Sequence, residues 1–245
     1  MKRLEGKVGI VTGGGQNIGK AIATRLASDG ETVVIADLES SPGLKTASEL
    51  SAAGYNVKFI PTDVTKSAEI DSLMKEVNDS YGKISTLVTC AGVLTPPLSF
   101  EDNSEELFDT VVAVNLKGTF LCIKSAIPYM KTQRDGSIIC IASRAGVRVG
   151  IKNAPYGCSK AGVIMLVQYA AKELAEFGVR VNSISPGLTE VESVTDEVRE
   201  HLTKTLLMGS LVDPAEHSSV ISMLASDECK HLTGVNITID GGQNL

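Results

Sequence analysis

A chain of 245 residues with 43% hydrophobic and 21% charged residues has the composition of an ordinary globular protein and the length of one large α/β domain. Its net charge of −6 argues against nucleic acid as a partner, because phosphate backbones are bound by a basic face. The opening MKRLEGKVGIV breaks its apolar run with Glu5, Gly6 and Lys7, unlike a signal peptide, and no stretch approaches the length of a membrane span, so a cytoplasmic protein away from membranes is expected.

Short apolar, β-branched runs alternate with helical periodicity from end to end. Strands are predicted at Val8–Thr12, Thr32–Asp37, Val57–Ile60, Ser85–Ala91, Ser137–Ser143, Val179–Ile184 and Val235–Asp240. Helical segments between them, such as Ile18–Gly30, Ser67–Gly82 and Ala161–Gly178, end in glycine, as a helix stop would. This alternation implies βαβ units, and near-continuous apolar strands imply a sheet covered on both faces. The expectation is an α/β fold: a single doubly wound Rossmann domain over residues 1–245, with a mostly parallel seven-stranded sheet. Irregular segments at 93–99, 144–155 and 187–210 follow strand C-terminal ends, where such sheets bind ligands. The last reads as a substrate lid with a short helix near 196–207.

Five cysteines without a CxxC pair read as reduced, buried thiols. His201, His217 and His231 lack metal-ligand spacing, so no metal is expected. The first βα turn, TGGGQNIGKA (Thr12–Ala21), admits two readings. A triphosphate-binding GxxxxGK loop needs Ser or Thr after its lysine to hold Mg²⁺, and Ala21 has no ligating atom. A dinucleotide turn needs an acid about 20 residues on, at the end of the next strand, and Asp37 stands there. Its carboxylate suits ribose hydroxyls and repels a 2′-phosphate, while no Arg or Lys lies at Gly14–Gln16 or just after Asp37. NAD is therefore favoured over NADP.

Downstream, YGCSK places Tyr156 and Lys160 on one helical face. A neighbouring ammonium favours a phenolate, which would make Tyr156 a general base. Ser143, at the end of the fifth predicted strand, would hydrogen-bond a substrate oxygen.

Together these motifs resemble the short-chain dehydrogenase/reductase family over nearly the whole chain. TGGGQNIG is similar to its TGxxxGxG turn, which implies cofactor contacts from Gly13, Gln16, Asn17, Ile18 and Gly19. Asp37 resembles its NAD-selecting acid, and Asp63–Val64 the pair that meets the adenine. TCAG resembles its NNAG, carrying Cys90, Ala91 and Gly92. Asn115 matches the asparagine that holds a relay water, and Ser143, Tyr156 and Lys160 match the catalytic residues. SPG, with Pro186 and Gly187, resembles the turn beside the nicotinamide. The resemblance implies reversible hydride transfer between NAD(H) and a secondary alcohol or ketone. Tyr156 moves the proton, Lys160 lowers its pKa and binds the nicotinamide ribose, and Ser143 stabilises the oxyanion. It also implies a homodimer or homotetramer, paired through the helices that hold Asn115 and Tyr156.

Three positions depart from the family pattern. Asn17 replaces a glycine; asparagine tolerates a left-handed backbone, and its side chain either only substitutes or also bonds the pyrophosphate or the loop. Cys90 replaces an asparagine and opens a redox-sensing alternative. Val191 stands where a threonine is usual, so either Thr189 takes that contact or backbone groups do. Arg144, Arg148 and Lys152 either attract an anionic substrate or are solvated or subunit-facing charges. The competing function is an NAD-binding regulatory or scaffold protein of the same fold without turnover.

Overall fold

The computed structural model of the chain describes residues 2–150, 152–192, 194–204 and 206–245. Its sheet is built from β1 (Val8–Thr12), β2 (Thr32–Asp37), β3 (Val57–Pro61), β4 (Thr86–Thr89), β5 (Gly136–Ile141), β6 (Val179–Pro186) and β7 (Asn236–Ile239). The seven strands lie in the order β3-β2-β1-β4-β5-β6-β7, and every neighbouring pair is parallel. The chain builds outward from β1 to β3, then returns to β1's other side to start again at β4. Its winding direction therefore reverses between β1 and β4, and a crevice opens beyond their C-terminal ends.

Helices α1 (Asn17–Ser28), α2 (Gly43–Ala52), α3 (Ser67–Tyr81), α4 (Glu105–Val111), α5 (Thr119–Gln133), α6 (Ala154–Leu174), α7 (Asp196–Thr203) and α8 (Pro214–Ala225) cover both faces. Strand side chains point alternately to each face, and both faces are apolar. Ile10 and Val34 join Ile70, Leu73, Ile123 and Val163 in one core layer; Val11, Val33 and Ile35 join Ile22, Leu26, Ile221 and Leu224 in the other. Gly30, Gly82 and Gly178 all take positive φ just past helical segments, as the sequence predicts. At the other kind of terminus, Asp213 and Glu216 form a capping box on α8 with Pro214 in its first turn, fixing where that helix starts.

Three features differ from the sequence reading. The lid helix α7 stops at Thr203, short of the expected 207; Ser193 and Thr205 of the lid, and Ile151 of the 144–155 segment, lie outside the described residues. Helix α4, a π-helical segment at Val112–Gly118 and α5 form one run, Glu105–Gln133, apolar and long enough by composition to cross a membrane, which the sequence reading did not anticipate. One face of it packs into the core: Cys122, Ile123, Ala126 and Met130 are buried against the sheet layer. Third, Glu31 is 1% exposed at the N-terminal edge of the sheet, opposite the crevice. Gly9 makes room for it, since a Cβ there would stand 2.7 Å from the Glu31 carboxyl carbon.

Candidate active site

From the end of β1 the chain turns through Gly13–Gln16 into α1. Gly13 has φ 65 and a Cβ on it would stand 2.7 Å from the Ala91 backbone; a Cβ on Gly19 would fall 2.0 Å from the Gly13 carbonyl oxygen. Only glycine lets turn, helix and β4 approach this closely. Gln16 precedes helix α1 without a side-chain cap, so the first N–H groups and dipole of the helix form an anion seat. Asn17 carries φ 49 and takes the left-handed conformation foreseen for it. Its exposed side chain makes no hydrogen bond to the loop. Lys20 pairs with Glu49 at 2.8 Å, outside any phosphate-binding role.

Two threonines not singled out in the sequence brace this turn. Thr12 Oγ1 accepts from the amides of Cys90 and Ala91 at 3.1 and 3.2 Å, and Thr46 Oγ1 donates to the Gly15 carbonyl at 2.7 Å. Asp37 joins them: one carboxylate oxygen accepts from the Gly15 N–H at 2.9 Å and the other from Leu38 N–H at 2.8 Å. The donor set and glycine cradle thus fit a dinucleotide's pyrophosphate and ribose. Farther along the rim, Asp63 accepts from the Thr65 hydroxyl and amide, which hold its carboxyl below the usual range, and Val64 packs under Gly118.

Asn115 lies fully buried in the π-helical segment, a helix distortion often found at functional sites. Its Oδ1 accepts from Val93 N–H at 2.8 Å, and its Nδ2 donates to the Val93 carbonyl at 3.0 Å and to Ser159 Oγ at 3.2 Å. Both ends of the amide thereby clamp the β4 loop onto the helix. Beside it, buried Lys160 donates from Nζ to the Ile141 carbonyl at 2.8 Å, and burial pushes its ammonium down to about 8. The ammonium lies 5.9 Å from the centre of the Tyr156 ring. The turn after β5 (Arg144–Gly146) presses on α6, where a Cβ on Gly146 would stand 2.6 Å from the Lys160 carbonyl carbon. That contact anchors the segment after Ser143 against the helix that carries Tyr156.

The expectation that Lys160 lowers the Tyr156 pKa is corrected by this geometry. Burial dominates and raises the phenol, while the Ser143 hydroxyl opposes the rise. Loss of water costs a phenolate more than these polar neighbours return. Burial likewise pushes the Cys90 thiol up to about 11, which removes the thiolate that a redox sensor needs. Cys158, in contrast, is exposed on α6 and faces the same cleft.

Past β6, Gly187 packs on Asp240, with room for no Cβ. Thr189 Oγ1 donates to the Gly187 carbonyl at 3.0 Å and lies 2.9 Å from His217 Nε2; with its proton on Gly187, it accepts from that ring nitrogen. His217 is fully buried on α8, and burial pushes its imidazole down to about 4. The lid base also bridges to Val212 through backbone hydrogen bonds of 2.9 Å at Leu188 and Glu190. The sequence signal for His217 is one imidazole on a helix otherwise rich in small and apolar residues; its partner is 28 residues away.

One cleft of about 1490 Å³ unites these parts. Every expected cofactor residue lines it, from Gly13, Gln16, Asn17, Ile18 and Gly19 through Asp37, Asp63, Val64, Cys90, Ala91 and Gly92 to Pro186, Gly187 and Thr189. Ser143, Tyr156 and Lys160 line it too, and Asn115 stands behind Gly92. Arg148 is held by the carbonyls of Asn244 and Leu245 at 2.7 and 3.2 Å.

Comparisons with known proteins give the family and the fold. The family model described as enoyl-(acyl carrier protein) reductase matches residues 13–244. The chain is 39% identical over 246 residues to the 2,5-dichloro-2,5-cyclohexadiene-1,4-diol dehydrogenase LinX of Sphingobium indicum, covering 99% of this chain and 98% of that one. It is 36% identical to the 3-oxoacyl-[acyl-carrier-protein] reductase FabG of Thermotoga maritima, over 98% of each. The crystal structure of gox2181 superposes with a TM-score of 0.94 at 32% identity, over 99% of this chain and 97% of that one. Fold, cleft and relatives converge on one assignment: the chain belongs to the short-chain dehydrogenase/reductase family and is an oxidoreductase by descent.

Proposed function

We propose that the protein transfers hydride between NAD(H) and a secondary alcohol or ketone. The observation that carries this reading is the meeting of Ser143, Tyr156 and Lys160 with the glycine turn in a single cleft. When bound, the nicotinamide supplies the hydride acceptor or donor. Tyr156 holds and moves the proton at its phenol oxygen. Ser143, which lines the cleft with that phenol, orients the substrate oxygen beside it and stabilises negative charge there. Lys160 places a cation behind the tyrosine and would bind the nicotinamide ribose, and Asn115 braces the β4 loop against the helix that carries both. The segment 187–210 acts as the lid that excludes water.

NAD is preferred to NADP in this reading, because Asp37 sets a carboxylate where a 2′-phosphate would come and neither Leu38 nor Glu39 supplies a cation. The names of LinX and FabG describe a ring diol and a 3-oxoacyl group, both compatible with a secondary carbinol or ketone. Exposed Phe108, Phe120, Met165 and Tyr169 on neighbouring helices support a homodimer or homotetramer, and a cytoplasmic location goes with this enzyme class.

Tyr156→Phe tests the proposal. Turnover of any alcohol or ketone that the wild type accepts, followed by NADH absorbance, should fall by about 10²–10⁴-fold while NADH affinity measured by fluorescence is retained. Full turnover in the variant would remove Tyr156 from its role.

A further inference from the structure

We propose that the substrate end of the cleft recognises a carboxylate, with Arg144 as its principal ligand and Lys152 as a second cation, so that the enzyme acts on a hydroxy or oxo acid with an apolar body. The inference rests on the hydride-transfer reading above and names the substrate class for it. Three observations carry it.

The first is an uncompensated charge. The chain carries −6 overall, yet residues 143–155, which border the substrate end, hold Arg144, Arg148 and Lys152 and no acid. Carboxylates that line the cleft among the described residues are Asp37 and Asp63, and both stand at the adenosine end assigned above. Cations placed with no counter-ion focus a positive field toward whatever enters.

The second is the state of each cation. Arg148 is already engaged by the terminal carbonyls, which gives it a structural task. Arg144 is half-buried and lines the cleft, yet its side chain has no hydrogen bond or ion pair among the described residues; Lys152 is also unpaired. Arg144 is also fixed in place. Its carbonyl accepts from Val147 and Arg148 amides at 2.9 and 3.0 Å, and its turn is wedged against α6 beside Lys160. A guanidinium carried by a fixed backbone next to Ser143 in sequence, with its donors unused, matches a planar carboxylate by two parallel hydrogen bonds.

The third is the rest of the wall. Leu94, Phe100, Val147 and Val149 are exposed and line the same end. They offer an apolar surface for a ring or alkyl body, and Arg144 lies among them as the group that fixes orientation.

The test offers the full-length enzyme and NAD⁺ a set of secondary alcohols, linear, alicyclic and aryl, each as the free carboxylate and as its methyl ester. The carboxylate of the best skeleton should exceed its ester in kcat/KM by about 10- to 100-fold, the range of a hydrogen bond to a charged group. Arg144→Gln should collapse that ratio toward unity, chiefly through KM, whereas Arg144→Lys should retain part of it. Lys152→Gln should reduce it less. Esters oxidised as well as acids, or a ratio unchanged in Arg144→Gln, would overturn the carboxylate site and leave the dehydrogenase reading standing. If no skeleton is oxidised in either form, the dehydrogenase reading falls and the inference falls with it.

Discussion

Replacing Glu31 by glutamine should make the protein more stable at alkaline pH and slightly less stable at acid pH. Burial pushes the Glu31 carboxyl from 4.5 up to about 7, and neither carboxyl oxygen has a hydrogen-bond partner of standard geometry among the described residues. A raised pKa in the folded state means that the favourable contribution of the neutral form is complete below 4.5 and is lost as pH rises through about 7. At roughly 1.4 kcal/mol per pH unit, that loss is about 3 kcal/mol by pH 8. Glutamine keeps the shape beside Gly9 and never ionises, and its amide costs about 1 kcal/mol to bury, leaving a gain of about 2 kcal/mol. For a chain of this size the melting temperature should rise by about 4–8 °C. Paired thermal melts by circular dichroism at pH 5 and pH 8 measure it. An equal shift at both pH values, or a lower melting temperature for Glu31→Gln at pH 8, would refute the assignment of a buried, unpaired carboxyl.

Other perturbations probe the cleft. Asp37→Ala should weaken NAD use and improve NADP use by about tenfold relative to NAD, as expected when one charge–charge conflict of about 1.4 kcal/mol is removed; unchanged cofactor selectivity in steady-state assays removes Asp37 from that role. His217→Leu deprives Thr189 of its donor and should raise KM for NAD by about fivefold, the worth of one net hydrogen bond, with His217→Gln recovering most of it. His217 also carries a pH signature. Its folded pKa lies at about 4 against 6.5, so stability present above 6.5 should drain away as pH falls toward 4, and the acid limb of the melting profile should flatten in His217→Leu.

The strands were legible because both-face burial demands apolar runs, and the predicted and observed strands agree in number and differ by a few residues at their ends. The glycine turn, Asp37 and the Tyr156–Lys160 pair were legible for a related reason: each is local, set by spacing along one turn or helix face. What stayed hidden depends on contacts between distant segments. Nothing near Thr46 in the chain says that it will reach Gly15, and nothing near His217 announces Thr189. The π-helical segment around Asn115 is set by the fit between the β4 loop and α6, which periodicity alone does not register. The direction of the Tyr156 shift is hidden because a sequence shows the neighbouring lysine and conceals the loss of water. The burial of Glu31 is hidden for the same reason, its hole being made by Gly9 in β1.

The thiols lend themselves to a practical use. Cys90, Cys122 and Cys140 are pushed up to about 11, 12 and 11 by burial, and Cys229 is half-buried with its Sγ donating to the Met223 carbonyl at 3.0 Å. Cys158 alone of the five is exposed, two places from Tyr156 along α6. A maleimide fluorophore should therefore attach at one position, at the lip of the reaction chamber. The molecule comes with a built-in attachment point for an optical reporter, through which arrival and departure of ligands become visible without any engineered residue.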